Sequence, residues 1–376
     1  MPSPDSTAFM EIVCVIHSLN GGGAERVMAQ LASRLSGRGH RITLVTLDRA
    51  DGDRHRVDDK VQRVALDVMF DGDRGKARQL LRRVSKLRRA IKDLRPDVVL
   101  SFCDRTNVLT LASLVGTRIP VVVSERSDPS QQIMPVSWER LRRWLYPKAK
   151  RVIALTKSAA EYLQPLCSSR PAVIGSGIEL DDETIEHAET SRSFADANRL
   201  ILGIGRLEPE KGFDRLIDAF ATHTRHGRAR GWKLRILGEG SCRDTLEQRI
   251  NELDLTSQVE LPGWVQPVTS ELARATMFVL PSHYEGFPSA LLEAMACGVP
   301  SIATDCESGP RALIDSPQKG LLAANTVAGI EEAIGRLIDD PDQRRALGVA
   351  ATEVRQRFAI ERMVDQYESV LLAATR

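Results

Sequence analysis

Short apolar runs alternate with amphipathic stretches along most of this chain. Met10 to His17, Ile42 to Leu47, Asp97 to Leu100, Pro120 to Ser124 and Val152 to Leu155 have the length and composition of buried strands, and Val61 to Leu66 is a weaker run. Between them, Ala24 to Ser36 carries Val27, Leu31 and Leu35 on one helical face. Gln79 to Leu94 repeats Leu80, Val84, Leu87, Ile91 and Leu94 at heptad-like spacing. Helices are also expected over Asn107 to Val115, Trp138 to Leu145 and Ser158 to Leu166. Strands that take turns with helices predict a parallel sheet covered on both faces. Residues 179–198 are acidic and polar and read as a connection. The alternation then restarts, with strands at 200–205, 234–237, 259–261, 277–280 and 301–303. Phe213, Leu216, Ile217 and Phe220 give an i, i+3, i+4, i+7 face, further helices fall near 242–253 and 268–275, and a last one runs from 360 to 373.

One stretch stands out. The strand Met277 to Leu280 is followed by the loop Pro281 to Pro288, then by an almost wholly apolar segment that stops at Gly298 with Pro300 beyond. Pro288 suits a first helical position. A helix apolar all round is normally buried, yet Glu293 sits in its middle. A buried carboxylate needs partners, because burying it unpaired costs several kcal/mol, very roughly. Glu285 lies in the loop at the strand's C-terminal end, where open α/β sheets bind ligands.

The 376 residues allow two domains, and the pattern divides them. Residues 1–9 are a polar lead expected to be disordered, 10–178 an N-terminal α/β domain, and 179–198 the connection. Residues 199–358 are a second α/β domain, and 359–376 a helix returning toward the first. Two doubly wound domains facing a central cleft are expected, with the cleft as the default site. No run of 18 apolar residues predicts a spanning helix, and no signal peptide is legible. The six cysteines form no CxxC pair and read as reduced core thiols of a cytoplasmic protein. Net charge is only +2, but it is unevenly placed. Residues 1–176 hold 30 Lys and Arg against 18 Asp and Glu, and residues 177–376 hold 22 against 32.

Several turns carry candidate chemistry. Gly205-Arg206-Leu207-Glu208-Pro209-Glu210-Lys211-Gly212 sets two cations at a helix N-terminus, where cations are unfavourable unless an anion lies between them. A nucleotide diphosphate fits, and so does a surface pairing with Glu208 and Glu210. The turn Asn20 to Gly23 permits close backbone approach to a ligand, or is a tight turn and nothing more. It fails the dinucleotide fingerprint at Arg26, which disfavours a nicotinamide oxidoreductase. Asp51-Gly52-Asp53 and Asp71-Gly72-Asp73 could hold a metal but read as solvated turns. Leu237-Gly238-Glu239-Gly240 and Ser308-Gly309-Pro310 are weak alone.

The order and spacing of these segments, with Leu261-Pro262-Gly263-Trp264 and Leu291-Leu292-Glu293-Ala294-Met295-Ala296-Cys297-Gly298, resemble glycosyltransferase family 4. That resemblance implies the GT-B fold and transfer with retention of anomeric configuration. It further implies that Arg206 and Lys211 bind the donor diphosphate and stabilise the leaving nucleotide without metal or other cofactor. Glu285 and Glu293 would be the paired glutamates, the first on sugar hydroxyls and the second on the ribose. Gly286, Phe287, Pro288 and Ser289 would line sugar and phosphate, with Gly238 in the adjoining turn. Gly22 and Gly23 would close over the diphosphate, and Gly263 and Trp264 would flank the base. Val173 to Ile178 departs from the family, lacking an Asn that many members carry there.

The acceptor is expected on the N-terminal half. Candidate residues are His17, Asp104, Arg105, Asn107, Glu125 and Arg126, at strand ends whose segments resemble members that extend lipid-linked saccharides. Asp104 and Asp128 could equally be helix caps. Nine Lys and Arg against one acid between 76 and 95, and Trp138, Trp144 and Tyr146 among basic residues up to 151, suit an anionic lipid surface. The same residues could be a solvated face with core tryptophans. No nucleic-acid-binding module is legible. The combined expectation is a UDP-sugar-dependent transferase acting on a polyprenyl-diphosphate-linked saccharide at the cytoplasmic membrane face. A same-fold epimerase or phosphorylase and a non-catalytic binder are the alternatives.

Overall fold

A computed structural model of the chain describes residues 9–69, 76–132, 134–306 and 308–376, with the side chains of 76, 77 and 191–194 outside that set. Residues 1–8 of the expected disordered lead (1–9) and Asp71-Gly72-Asp73 fall outside the described residues. The chain divides into two compact units, Met1–Gly177 with Ile360–Arg376, and Ile178–Ala359.

The first unit holds seven parallel strands: β1 Glu11–Ile16, β2 Arg41–Thr46, β3 Gln62–Ala65, β4 Val98–Phe102, β5 Val121–Ser124, β6 Arg151–Ala154 and β7 Ala172–Val173, in the order β3-β2-β1-β4-β5-β6-β7. Side chains along a strand alternate between faces. Ile12, Cys14 and Ile16 therefore enter one core, with the helices Gly23–Gly37 and Ile360–Thr375. Val13 and Val15 enter the other, with Lys76–Leu94 and Asp104–Leu114. Both sets are apolar because both faces are covered. Leu87 and Ile91 of the long basic helix are fully buried, as their spacing predicts. Two basic residues counted toward a lipid surface are spoken for: Arg83 is buried and donates to Val68 O, and Arg142 is buried against Tyr146 and Tyr162.

The second unit holds β8 Leu200–Ile204, β9 Lys233–Leu237, β10 Val259–Gly263, β11 Met277–Leu280, β12 Ser301–Thr304 and β13 Leu321–Ala323, all parallel, in the order β10-β9-β8-β11-β12-β13. The expected connection at 179–198 is corrected: Asp182–Asn198 is a helix of the second unit, packed on Val268–Arg274. Asp181 caps it by accepting from Thr184 N at 2.7 Å, and Ala188 and Ala195 are its buried contacts. Among the described side chains its buried contacts are both alanines, which leaves no readable period. The two-residue β7 and three-residue β13 also escape sequence reading, being too short to show one.

Glycine fixes the turn after β9. Gly238 has φ +141°, and a Cβ there would sit 1.9 Å from Gly205 O. Strand ends β8 and β9 therefore approach more closely than any side chain permits. Gly238→Ala is expected to cost on the order of 3 kcal/mol or more, read from urea unfolding; a loss under about 1 kcal/mol would show that this close approach is not needed.

Candidate active site

In the second unit β8 and β11 are sheet neighbours although two strands separate them in the chain. This is a topological switch point, and ligands of open α/β sheets bind outside the carboxyl ends of the strands there. The loops that leave these two ends are Gly205–Gly212 and Pro281–Pro288. They are joined by a backbone bond from His283 N to Glu210 O at 2.8 Å.

Lys211 Nζ lies 2.6 Å from Glu285 Oε1, and Ser282 Oγ donates to the same oxygen at 2.7 Å. Glu285 is only 7 % exposed, so its charge has left most of the solvent and is held by this cation. Both donors converge on Oε1, which leaves Oε2 for another partner. The Glu285 carbonyl is fixed too, accepting from Ser308 Oγ at 2.6 Å and Gly309 N at 3.2 Å. A Cβ at Gly309 would lie 2.8 Å from Pro288 Cδ and 2.9 Å from Glu285 O, so the Ser-Gly-Pro turn is a clamp on this loop.

Arg206 behaves otherwise. Its side chain is 69 % exposed and pairs with Glu210 at 2.8 Å. Glu208 instead accepts from Ser241 N and Oγ at 3.1 and 2.7 Å, tying the loop to the turn after β9. Of the two open readings for these cations, surface pairing thus describes Arg206 but not Lys211.

The helix after the loop is Ser289–Ala296, with Pro288 at the N-cap position, one residue earlier than its expected helical place. Leu291, Leu292, Ala294, Met295 and Ala296 are buried, but Glu293 is half-buried. The expectation of a buried Glu293 is corrected: eight residues make barely two turns, and this one stays near the surface. Phe287 is buried edge-on to Phe358, with ring centroids 5.5 Å apart, and Gly286 and Ser289 are partly exposed. The first N–H groups of a helix lack intrahelical acceptors, so those at 289–291 can meet a ligand. Gly238 N donates to Gly263 O at 2.8 Å, and Trp264 beside it is 50 % exposed.

Gly22 and Gly23 belong to the first unit, at the C-terminal end of β1. Glu25 folds back beneath them: a Cβ on Gly22 would be 2.2 Å from its carboxylate. Glu25 Oε1 lies 3.0 Å from His17 Nε2. Burial alone would raise the Glu25 carboxyl, but the His17 hydrogen bond and charge outweigh it and hold the group below the usual carboxylate range. His55 joins this corner, its ring pushed down by burial and by the Arg26 charge.

The other acceptor-side candidates gather at the ends of β4 and β5, mostly in the interior. Asn107 is fully buried and donates to Ser124 O at 3.0 Å. Glu125 is 1 % exposed and accepts from the Tyr146 hydroxyl. Arg126 donates to Ser176 Oγ at 2.7 Å and Tyr367 OH at 3.2 Å, so Ser176 gives the segment that departs from the family its own structural task. Arg105 stacks on Trp138 at 5.9 Å. Asp104 keeps one oxygen on Arg105 N at 2.6 Å, while its Oδ2, Glu125 Oε2 and Asn107 Oδ1 are buried with no protein partner. Asp128 is a local cap, accepting from Ser130 N and Oγ at 3.0 and 2.7 Å. Asp51-Gly52-Asp53 is an exposed turn whose Asp53 pairs with Arg63 at 3.0 Å.

Residues 21–182 match the family described as Glycosyltransferase Family 4, and residues 185–354 match Glycosyl transferases group 1. The chain belongs to glycosyltransferase family 4. It is similar to a Campylobacter jejuni enzyme, the GalNAc-alpha-(1->4)-GalNAc-alpha-(1->3)-diNAcBac-PP-undecaprenol alpha-1,4-N-acetyl-D-galactosaminyltransferase, at 27 % identity over 95 % of this chain and 97 % of that one. Sucrose-phosphate synthase from Thermosynechococcus elongatus shares the fold at TM-score 0.81 and 18 % identity, covering 96 % of this chain and 98 % of that one. So does Anabaena HepE, solved with UDP and glucose, at TM-score 0.77 and 19 % identity, covering 97 % and 100 %. The fold is GT-B, and the protein is a glycosyltransferase.

Sequence reasoning missed three features of this family 4 transferase. Arg215 is buried in the second unit and donates to Pro281 O and, at 2.8 Å, to Asn325 Oδ1; Asn325 Nδ2 reaches His283 O at 3.0 Å. The pair holds the Pro281–Pro288 loop from below, and neither residue type in its local context signals this. Glu25 was findable, being a carboxylate in the first helical turn directly after a glycine turn. His55 carried no local signal.

Burial pushes Glu125 up from 4.5 to about 7, with Asp104's charge adding to the rise and the Tyr146 hydrogen bond and Arg142 opposing it. The folded transferase therefore holds this proton more tightly than the unfolded chain. The contribution is fully present below about pH 4.5 and is lost as pH rises through about 7. At 1.36 kcal/mol per pKa unit this amounts to about 3 kcal/mol at most. Glu125→Gln should flatten the fall in stability between pH 5 and 8 measured by denaturant unfolding; an unchanged slope would place the titration elsewhere.

Proposed function

We propose that this glycosyltransferase moves a sugar from a UDP-sugar to a polyprenyl-diphosphate-linked saccharide, with retention, at an anionic membrane surface. The observation that carries the donor side is the Lys211–Glu285 pair at the switch point of the second sheet. An ammonium has three donors, so Lys211 can keep Glu285 and still give two to the diphosphate. Arg206, exposed on the same loop, supplies the second cation. Glu285 Oε2 accepts from sugar hydroxyls, Glu293 from the ribose, and Gly263 and Trp264 flank the base. The backbone N–H groups beside Gly286 to Ser289 meet sugar and phosphate.

In the reaction the bond from the anomeric carbon to the diphosphate oxygen breaks. The acceptor oxygen bonds to that carbon on the same face, and its proton passes to the departing phosphate. Charge grows on the leaving diphosphate, where Lys211 and Arg206 offset it without a metal. The Campylobacter relative's name specifies an undecaprenyl-diphosphate-linked acceptor and an N-acetylgalactosaminyl group, and HepE was solved with UDP; these support the acceptor class and nucleobase chosen here. His17, Asp104, Arg105, Asn107, Glu125 and Arg126 surround the carboxyl ends of β1, β4 and β5, where the acceptor saccharide would bind.

Thermal-shift titration should find a UDP-sugar that stabilises the protein by roughly 2.7 kcal/mol at 100 times its Kd, with GDP-sugars inert. Lys211→Ala and Glu285→Gln should each lower kcat/KM by about 10²–10³-fold with the fold intact; near-full turnover in both would sink the donor assignment.

On the membrane side, Leu81 and Trp144 are exposed apolar residues among the basic ones of 76–95 and 138–151. Each basic residue near an anionic surface contributes about 1 kcal/mol. Replacing Arg82, Arg89 and Lys92 by Gln should weaken sedimentation with phosphatidylglycerol vesicles by about 100-fold at low salt; undiminished sedimentation would remove the membrane from this reading.

A further inference from the structure

The first sheet has a second built edge. Opposite the carboxyl ends, where β4, β5 and β6 begin, lies a cavity of about 880 Å³, lined among others by Asp97, Arg118, Lys148, Lys150, Arg151 and Ser168. Five cations, Arg376 with the four just named, share this one hollow with a single side-chain carboxylate, and Asp97 already accepts from Glu11 N at 2.8 Å.

Several nearby structural tasks are already filled by other groups. Basic residues near a helix C-terminus often serve its last carbonyls. At the end of Asp104–Leu114, however, Arg88 Nη1 donates to Ser113 O at 2.8 Å and Val115 O at 2.9 Å, and Thr117 Oγ1 donates to Leu114 O at 2.8 Å. In the turn Tyr146–Lys148, Ala149 N takes Tyr146 O at 3.0 Å and Ser168 Oγ takes Pro147 O at 2.6 Å. Arg151 Nη1 takes Lys150 O at 2.9 Å. Among the described residues Arg118, Lys148 and Lys150 form no ion pair, and Lys148 Nζ rests 5.0 Å from the centre of the exposed Trp144 ring. Elsewhere the chain pairs its cations readily: Arg243 with Glu239 and Glu247, Arg357 and Lys319 with Asp315.

Unneutralised like charges around one surface hollow repel one another and raise a positive potential there. The volume falls in the range of small-ligand sites. We propose that this cavity binds a phosphate-bearing group, a diphosphate or phosphomonoester, at a site separate from the strand ends that carry the transferase residues. The group is either free in solution or the headgroup of a lipid. Five cations suit a group of two or more negative charges, and the Trp144 ring beside Lys148 fits a ligand at the border of a wet and an apolar phase.

The test is binding of inorganic pyrophosphate, measured by isothermal titration at low salt in Lys211→Ala and, separately, in the exposed Arg206→Gln, so that occupancy of the donor loop is weakened. Binding should persist in both. Adding Arg118→Gln with Lys150→Gln should raise the Kd at least tenfold without moving the thermal midpoint of the free protein. The control pair Arg225→Gln with Arg230→Gln, exposed cations of the second unit, should leave it within twofold. No pyrophosphate binding in either donor-loop variant, or equal weakening by the control pair, overturns the site. Vesicles of phosphatidylcholine with and without phosphatidic acid then separate the sources. Binding that needs Arg118 and Lys150 and yields to pyrophosphate assigns a headgroup; pyrophosphate binding without vesicle binding assigns a free anion. No sugar transfer is measured, so failure here is distinct from failure of the donor assignment.

Discussion

A carboxylate cannot leave water alone, and the second unit is arranged around that fact. Glu285 is buried, and Lys211 and Ser282 meet it on one oxygen. To bring that lysine there, the loop after β8 must turn at Gly212, whose φ is +63° and where a Cβ would lie 2.4 Å from Pro281 O, so no side chain is tolerated. To hold the carboxylate still, Ser308 and Gly309 take its carbonyl, and Arg215 and Asn325 brace the loop ahead of it. Motifs scattered over more than a hundred residues thus serve one ion pair. The apolar helix that follows has the simpler task of seating the loop on the core through Leu291, Leu292 and Met295.

Much of this was legible, and the reasons are particular. The strands of both sheets declared themselves because parallel strands covered on both faces are nearly continuous apolar runs, as Val98 to Leu100 and Met277 to Leu280 are. Glycine-marked loops declared themselves because backbone geometry there excludes other residues, as at Gly238. Features that depend on tertiary partners stayed hidden. No local pattern separates Arg206, which stays in water, from Lys211, which folds onto Glu285. Nor does any pattern mark Arg215 as a brace, or Arg83 as a buried cation within a run of exposed ones. Helix Asp182–Asn198 hid because its described buried contacts, Ala188 and Ala195, are small.

The first unit sorts its charge by edge. At the carboxyl ends of β1, β4 and β5 stand Glu25, Asp104 and Glu125, each buried and each managed differently. His17 keeps Glu25 ionised, Arg105 N caps one oxygen of Asp104, and Glu125 rises to about 7. At the opposite edge and along the long helix lie the cations that give residues 1–176 their excess of 30 basic residues over 18 acidic ones. Charge asymmetry that looked like a property of one half of the chain is a property of particular faces of one sheet.

The last helix gives this arrangement a temporal dimension. Ile360–Thr375 completes the core of the first unit, not the second. His40 Nε2 meets Glu368 Oε1 at 2.7 Å across 328 residues of sequence, Arg38 reaches Asp365 and Glu368, and the Tyr367 hydroxyl lies 2.9 Å from Ser124 Oγ. During synthesis the second unit, continuous from Ile178 to Ala359, has every residue it needs before the first does. The N-terminal unit is made first and finished last. Until the helix arrives, the face of Leu31, Leu35 and Phe102 that it covers is an open apolar surface, which is the kind of surface chaperones and aggregation both act on.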